Sequence, residues 1–124
     1  MNPSYSDALI VDGPLIFVSG QLPSAPDGSL ADGDAVEQTR QVFRNLDNAL
    51  GEYAASLRHL VKLTYYLRHI ADLEDVRRVF DEFLHHPRPT STLVEVSGLV
   101  DSRYLVEVDA VACLPRGDIA TWAT

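Results

Sequence analysis

Cysteine is almost missing from this 124-residue chain, and Cys113 stands alone. A single thiol closes no intrachain disulfide and builds no thiolate cage for a metal, so the fold has to rest on an apolar core in a reducing compartment. Cys113 itself reads as a small core residue on a strand. Basic residues are scarce as well: ten Lys and Arg face eighteen Asp and Glu, for a formal charge of -8. A surface of that sign repels phosphate backbones, which argues against nucleic acid as a partner. The only basic doublet, Arg77-Arg78, lies among Asp72, Glu74, Asp75, Asp81 and Glu82. No apolar run approaches the roughly 18 residues a membrane span needs, and Met1-Asn2-Pro3-Ser4 is neither a basic opening nor an export segment. A cytoplasmic protein without a membrane partner is expected. The four histidines, His59, His69, His85 and His86, lack metal-site spacing. No nucleophile elbow, phosphate loop or dinucleotide fingerprint occurs either. Neither a metal nor covalent serine chemistry is therefore expected.

What the chain does contain is a clear succession of elements. The stretch Leu15-Ile16-Phe17-Val18-Ser19-Gly20-Gln21-Leu22-Pro23 is an apolar strand opening into a loop, and Ala8 to Val11 before Asp12-Gly13 predicts a hairpin over residues 8 to 19. Asp34 with Glu37 three later forms a capping box, followed by the stripe Val36, Phe43, Leu46, Leu50, Tyr53 and Leu57, so a helix is predicted over 35 to about 54. Residues 60 to 67 alternate as a strand. Asp72 and Asp75 then open a second helix with the stripe Leu73, Val76, Phe80, Phe83 and Leu84, which Pro87 and Pro89 stop. Thr90 to Val96 and Tyr104 to Cys113 predict two further strands joined by a turn over Gly98 to Arg103. Only residues 24 to 33 and the tail after Pro115 read as mobile.

The order β-β-α-β-α-β-β predicts one α+β domain, a mostly antiparallel sheet with two helices on one face. In the last strand Val106, Val108, Ala110 and Ala112 share one side while Glu107 and Asp109 lie on the other. Placing Leu93, Leu105 and Val111 beside those acids makes an exposed second face implausible, so subunits are expected to meet there. Within such an interface Glu107 is either a general base that activates a water or one half of an intersubunit ion pair. Gly20 either serves a bend or lets a ligand approach the Ser19-Gly20 backbone, with Tyr5 as a phenol nearby.

Taken together, Ser4-Tyr5-Ser6, residues 16 to 23, Gln38-Thr39, Val61-Lys62-Leu63-Thr64 and Val106 to Ala112 resemble the RidA/YjgF family over nearly the whole chain. The resemblance implies a chorismate-mutase-like fold, a homotrimer with its sheets in a central barrel, small-molecule clefts between subunits, and cofactor-free hydrolysis of imines and enamines. It assigns catalytic roles to Glu107 and Tyr5 and substrate binding to Ser19 and Gly20. The family's Pro-Ala-Arg-Ser motif reads Pro89-Thr90-Ser91-Thr92 here, so Ser91 replaces the arginine that grips a substrate carboxylate. Arg77 stands where deaminating members often carry asparagine, and Arg88 or Arg103 are the cations left to compensate. The implied substrate is a small imine, enamine or related metabolite other than an ordinary 2-imino acid. The alternative is a non-catalytic binding or regulatory module using the same cleft. The ribonuclease activity also attached to the family conflicts with the charge of -8.

Overall fold

The computed structural model describes residues 5–30 and 33–116. Its elements are β1 (Leu15–Gln21), α1 (Ala35–Gly51), β2 (Leu60–Leu67), α2 (Leu73–Phe83), β3 (Thr90–Glu95) and β4 (Val106–Cys113), with short 3-10 turns ahead of β2 and α2. The strands form one sheet in the order β1-β4-β2-β3. β4 pairs antiparallel with both β1 and β2, while β3 lies parallel to β2 at the edge. The α+β class and the mostly antiparallel sheet are as expected.

Two connections differ from expectation. Residues 8 to 11 form no strand, so the hairpin over 8 to 19 is absent. The cause is an anchor upstream: Ser6 N donates to Pro89 O at 3.0 Å and Ser6 Oγ to Arg88 O, which ties the chain beside β3. Residues 7 to 14 must then cross three strand spacings, roughly 14 Å, to reach β1, and cannot double back along it. The second correction concerns β3 and β4, which are not a hairpin because β2 lies between them. A strand, a helix and a strand in succession make a parallel crossover, and residues 96–105 carry the chain back over β2 to the centre of the sheet.

The crossover also changes which residues share a face. Ser91, Leu93 and Glu95 register against Leu63, Tyr65 and Leu67, all buried on the helix side. Leu93 therefore packs against the core and is not on the second face, and Leu105 precedes β4 and also packs inward. The uncovered face instead carries Leu15 and Phe17, then Lys62, Thr64 and Tyr66, then Glu107, Asp109 and Val111. Phe17 is 76% exposed there.

The core forms where the helices meet the sheet. Phe80 of α2 meets Phe43 of α1 and Tyr65 of β2 edge-on, at ring distances of 5.5 and 5.0 Å, and Phe83 stacks on Phe43 at 5.4 Å. Asp34 caps α1 by accepting from Glu37 N at 2.8 Å. The reciprocal half of the expected capping box is replaced by a pair between Glu37 and Arg40, and Arg40 also bridges to Glu82 on α2 at 2.8 Å. The buried stripe of α1 runs Ala35, Gln38, Thr39, Val42, Phe43, Leu46 and Leu50, whereas Tyr53 lies beyond the helix and is exposed. Asp72 makes no side-chain cap; a 3-10 turn over Ile70–Asp72 leads into α2 instead. The segment after β1 closes on itself through a bridge between Ser24 and Leu30. Residues 31–32 and the tail after Arg116 lie outside the described residues. Among those described, no helix is long and apolar enough to cross a membrane.

Phe80→Ala should cost about 3–5 kcal/mol, because the two helices and β2 all lose their shared ring, while Tyr53→Ala should stay within about 0.5 kcal/mol. Urea unfolding of the two variants beside the wild type checks the contrast.

Candidate functional site

β1 and β4 do not pair evenly. Val18 stands opposite Ala110 and Gln21 opposite Val108, so Ser19 and Gly20 together face Asp109 in a one-residue bulge. The bulge re-aims Gly20 toward the uncovered face. A Cβ built on Gly20 would lie 2.0 Å from Glu107 Oε2 and 2.9 Å from its Cδ. Only glycine lets the Glu107 carboxylate lie over this stretch of backbone. Ser19, Gly20 and Glu107 are thus one constellation, and the requirement for glycine is a close approach, not only a bend.

Glu107 makes no hydrogen bond or ion pair among the described residues, and it is half-buried. Burial first, and the charge of Asp109 second, push its carboxyl above the ordinary 4.5. Asp109 is itself held: Tyr66 Oη donates to Asp109 Oδ2 at 2.8 Å across the pair of strands. A partly desolvated, unpaired carboxylate beside open backbone can accept a proton from a water or hold one for transfer.

Tyr5 and Ser91 lie elsewhere. Tyr5 precedes the Ser6 anchor at Pro89, so it stands by the entry to β3, the strand that carries Ser91. Ser91 pairs with Leu63, which pairs with Ala110. From there to Glu107 is two strand spacings across and three residues along, roughly 14 Å. The five expected site residues therefore divide into two groups, Ser19, Gly20 and Glu107 at the β1 side and Tyr5 with Ser91 at the β3 edge.

Among the described residues no guanidinium is positioned at Ser91, and Lys62, opposite Thr90 on β2, lies on the other face of the sheet with its Nζ at Thr64 Oγ1. Arg88 is 91% buried, and its guanidinium turns to the end of α2, with Nη1 donating to Phe80 O and Nη2 to Asp81 Oδ1, both at 3.0 Å. Arg103 grips Asp101 through two of its nitrogens and draws that carboxyl well down in pKa, and Arg77 is exposed on α2. Among the described residues no group of three or more His, Cys, Asp or Glu side chains is gathered as for a metal.

Two supporting residues were not legible as such. Gln38, fully buried, donates from Nε2 to Arg103 O at 3.0 Å and accepts from Leu105 N at 2.7 Å, clamping the chain just before it enters β4 and Glu107. Asn45 donates to Leu22 O and Ser24 O, each at 2.8 Å, and so fixes the exit loop behind Gly20, where a cavity of about 450 Å³ opens. Gln38 falls three residues after Ala35 and four before Val42, so a polar residue on the apolar stripe was the available signal.

Known proteins of one family are similar to this chain in sequence and fold. The Endoribonuclease L-PSP family model matches residues 2–114. A RutC family protein of Pyrococcus abyssi is 39% identical over 109 residues, covering 87% of this chain and 84% of its own. A RutC family protein of Sinorhizobium fredii is 38% identical over 111 residues, 89% and 86% of the two chains. Among solved structures, RidA from an Antarctic Psychrobacter superposes with a TM-score of 0.77 at 28% identity, over 90% of this chain and 89% of that one. A member of the conserved Rid protein family from Yersinia pestis gives 0.75 at 28% identity, over 82% and 80%.

Gly20→Ala should push the Glu107 carboxylate aside and cost less than the roughly 1–3 kcal/mol of a rigid overpacked contact, because the atoms it meets belong to a flexible side chain. In a Glu107→Ala background the same change should cost measurably less, since the clash is gone. A double-mutant cycle in urea tests this, and a zero coupling energy would contradict the contact.

Proposed function

The chain belongs to the RidA/YjgF family, and we propose that it hydrolyses a small imine, enamine or related metabolite that carries no anchored carboxylate, without a cofactor. In this reading Glu107 takes a proton from a water as the water oxygen bonds to the imine carbon and the C=N electron pair moves to nitrogen, and Glu107 returns that proton to nitrogen to give a carbinolamine. The hydroxyl proton then passes by way of Glu107 to the nitrogen as the C–N bond breaks, which gives a carbonyl and ammonia. Ser19 and Gly20 orient the substrate through their backbone, and Tyr5 supplies a phenol. The observation that carries the reading is the unpaired, half-buried Glu107 carboxylate lying over Gly20.

Two groups of site residues about 14 Å apart cannot both touch one small molecule within a chain. We therefore propose a homotrimer in which the β3 edge of one subunit, with Tyr5 and Ser91, faces the Glu107 side of the next. Support comes from the uncovered face, where Leu15, Phe17 and Val111 expose apolar surface around the acids. Light scattering at micromolar concentration should give three times the 13.7 kDa chain mass; a monomer would remove the shared cleft.

Ser91 and its surroundings favour a substrate without a carboxylate, because Arg88 and Arg103 are both engaged elsewhere. The same lack of a guanidinium favours, as a second reading, a binding module for an uncharged metabolite. The folded, trimeric wild type should be poor on 2-imino acids generated in situ, and Ser91→Arg should raise that rate. Adding Glu107→Ala should then remove the gain, on the order of 10²–10⁴-fold for general-base assistance. A Ser91→Arg trimer that binds an imino-acid analogue yet hydrolyses none would select the binding reading.

A further inference from the structure

The proposed hydrolysis leaves one polar contact on the uncovered face unused. Tyr66 stands directly across β2 and β4 from Glu107, yet its hydroxyl reaches diagonally to Asp109, the acid two residues further along the same face. We propose that Tyr66 is a positioning residue that holds the Asp109 carboxylate away from Glu107, so that the two acids do not share a proton and Glu107 remains the sole proton acceptor of the site. The inference rests on the reading of Glu107 as the water-activating base.

Glu107 and Asp109 have their Cα atoms about 6.7 Å apart with both side chains on one side of the strand. Carboxyl groups that can approach this closely tend to close on a common proton, and their titration then belongs to the pair. A shared proton would occupy the lone pair that the water needs. The groups facing the pair offer little else to prevent this. On β2 there are Thr64, with Lys62 Nζ bound to its Oγ1 at 3.0 Å, and Tyr66. On β1 there are Ser19 and Gly20, both uncharged, and on β4 there is Val111. No ion pair engages Asp109 among the described residues, which leaves the Tyr66 phenol at 2.8 Å as its donor. Two directions of titration agree with this bond: it raises the phenol of Tyr66, and burial first, with Asp109 second, raises Glu107.

The test is carboxyl NMR on the full chain with ¹³C-labelled Asp and Glu, titrating wild type, Tyr66→Phe, Asp109→Asn and the double variant, each checked for fold and assembly. In wild type Glu107 should titrate in a single step above the ordinary 4.5. Tyr66→Phe keeps the ring and removes the donor, so Asp109 should move up, both curves should become biphasic, and the upper Glu107 step should rise by roughly one pH unit. Asp109→Asn should lower the Glu107 midpoint by removing a like charge, and adding Tyr66→Phe to it should change nothing. Unmoved midpoints in Tyr66→Phe would overturn the proposal, as would an equal shift of Glu107 with Asp109 already neutral. A reverse arm leaves Tyr66 intact: its phenol should titrate lower in Asp109→Asn than in wild type, and an unmoved phenol would count against the pair. The titration uses no substrate. A protein that hydrolyses no imine but shows these shifts loses the hydrolase reading and keeps Tyr66 as the residue that separates the acids. An active hydrolase without the shifts does the reverse.

Discussion

The alternation of β4 is the constraint on which the other features depend. Both β1 and β2 pair with it, and Val106, Val108, Ala110 and Ala112 are buried beneath the helices while Glu107 and Asp109 face away from them. A slip of one residue would bury two carboxylates and expose four core residues, so register is specified strongly. Gln38 adds a second lock by clamping Arg103 and Leu105 before the strand begins. The strand that completes the core thereby also sets where the acids stand.

Features governed by local periodicity were legible. β2 runs over Leu60–Leu67 as its alternation predicts, and the stripes of α1 and α2 correctly place Phe43, Leu46, Leu50, Val76 and Phe80 in the core. What failed was set by contacts distant in sequence. The apolar residues from Ala8 to Val11 have the composition of a strand, yet a hydrogen bond between Ser6 and Pro89, more than eighty residues apart, makes them a crossing segment. Leu93 was assigned to the wrong face because alternation fixes parity only within a strand. The partner decides which parity is buried, and that partner is β2.

The site shows the same division. Glu107 and Gly20 were identifiable as residues, and the resemblance assigned them roles, but their contact depends on a bulge that no pattern of apolar residues encodes. A bulge inserts one residue into one strand only, so it is invisible until the pairing is known. Asn45 was unreadable for a related reason. Its partners are the backbone carbonyls of Leu22 and Ser24, and backbone carbonyls carry no sequence signal.

Arg88 bears on the chemistry because of where it is not available. Three residues before Ser91, it is the nearest cation in the chain, and its guanidinium is committed to the C-terminal end of α2, where a positive charge and two donors suit the exposed carbonyls. Turning it toward Ser91 would strip Asp81 of its partner, leave Phe80 O with Leu84 N alone and move a charge that is already 91% buried. The same side chain cannot both finish the helix and bind a carboxylate at β3. With Arg103 closed on Asp101 as well, the cation next to the start of β3 is Lys62, which stands opposite Thr90 on β2 with its Nζ at Thr64 Oγ1. Lys62 lies on the other face of the sheet from Ser91 and is a point charge without a planar fork, so it does not reproduce a bidentate guanidinium at Ser91.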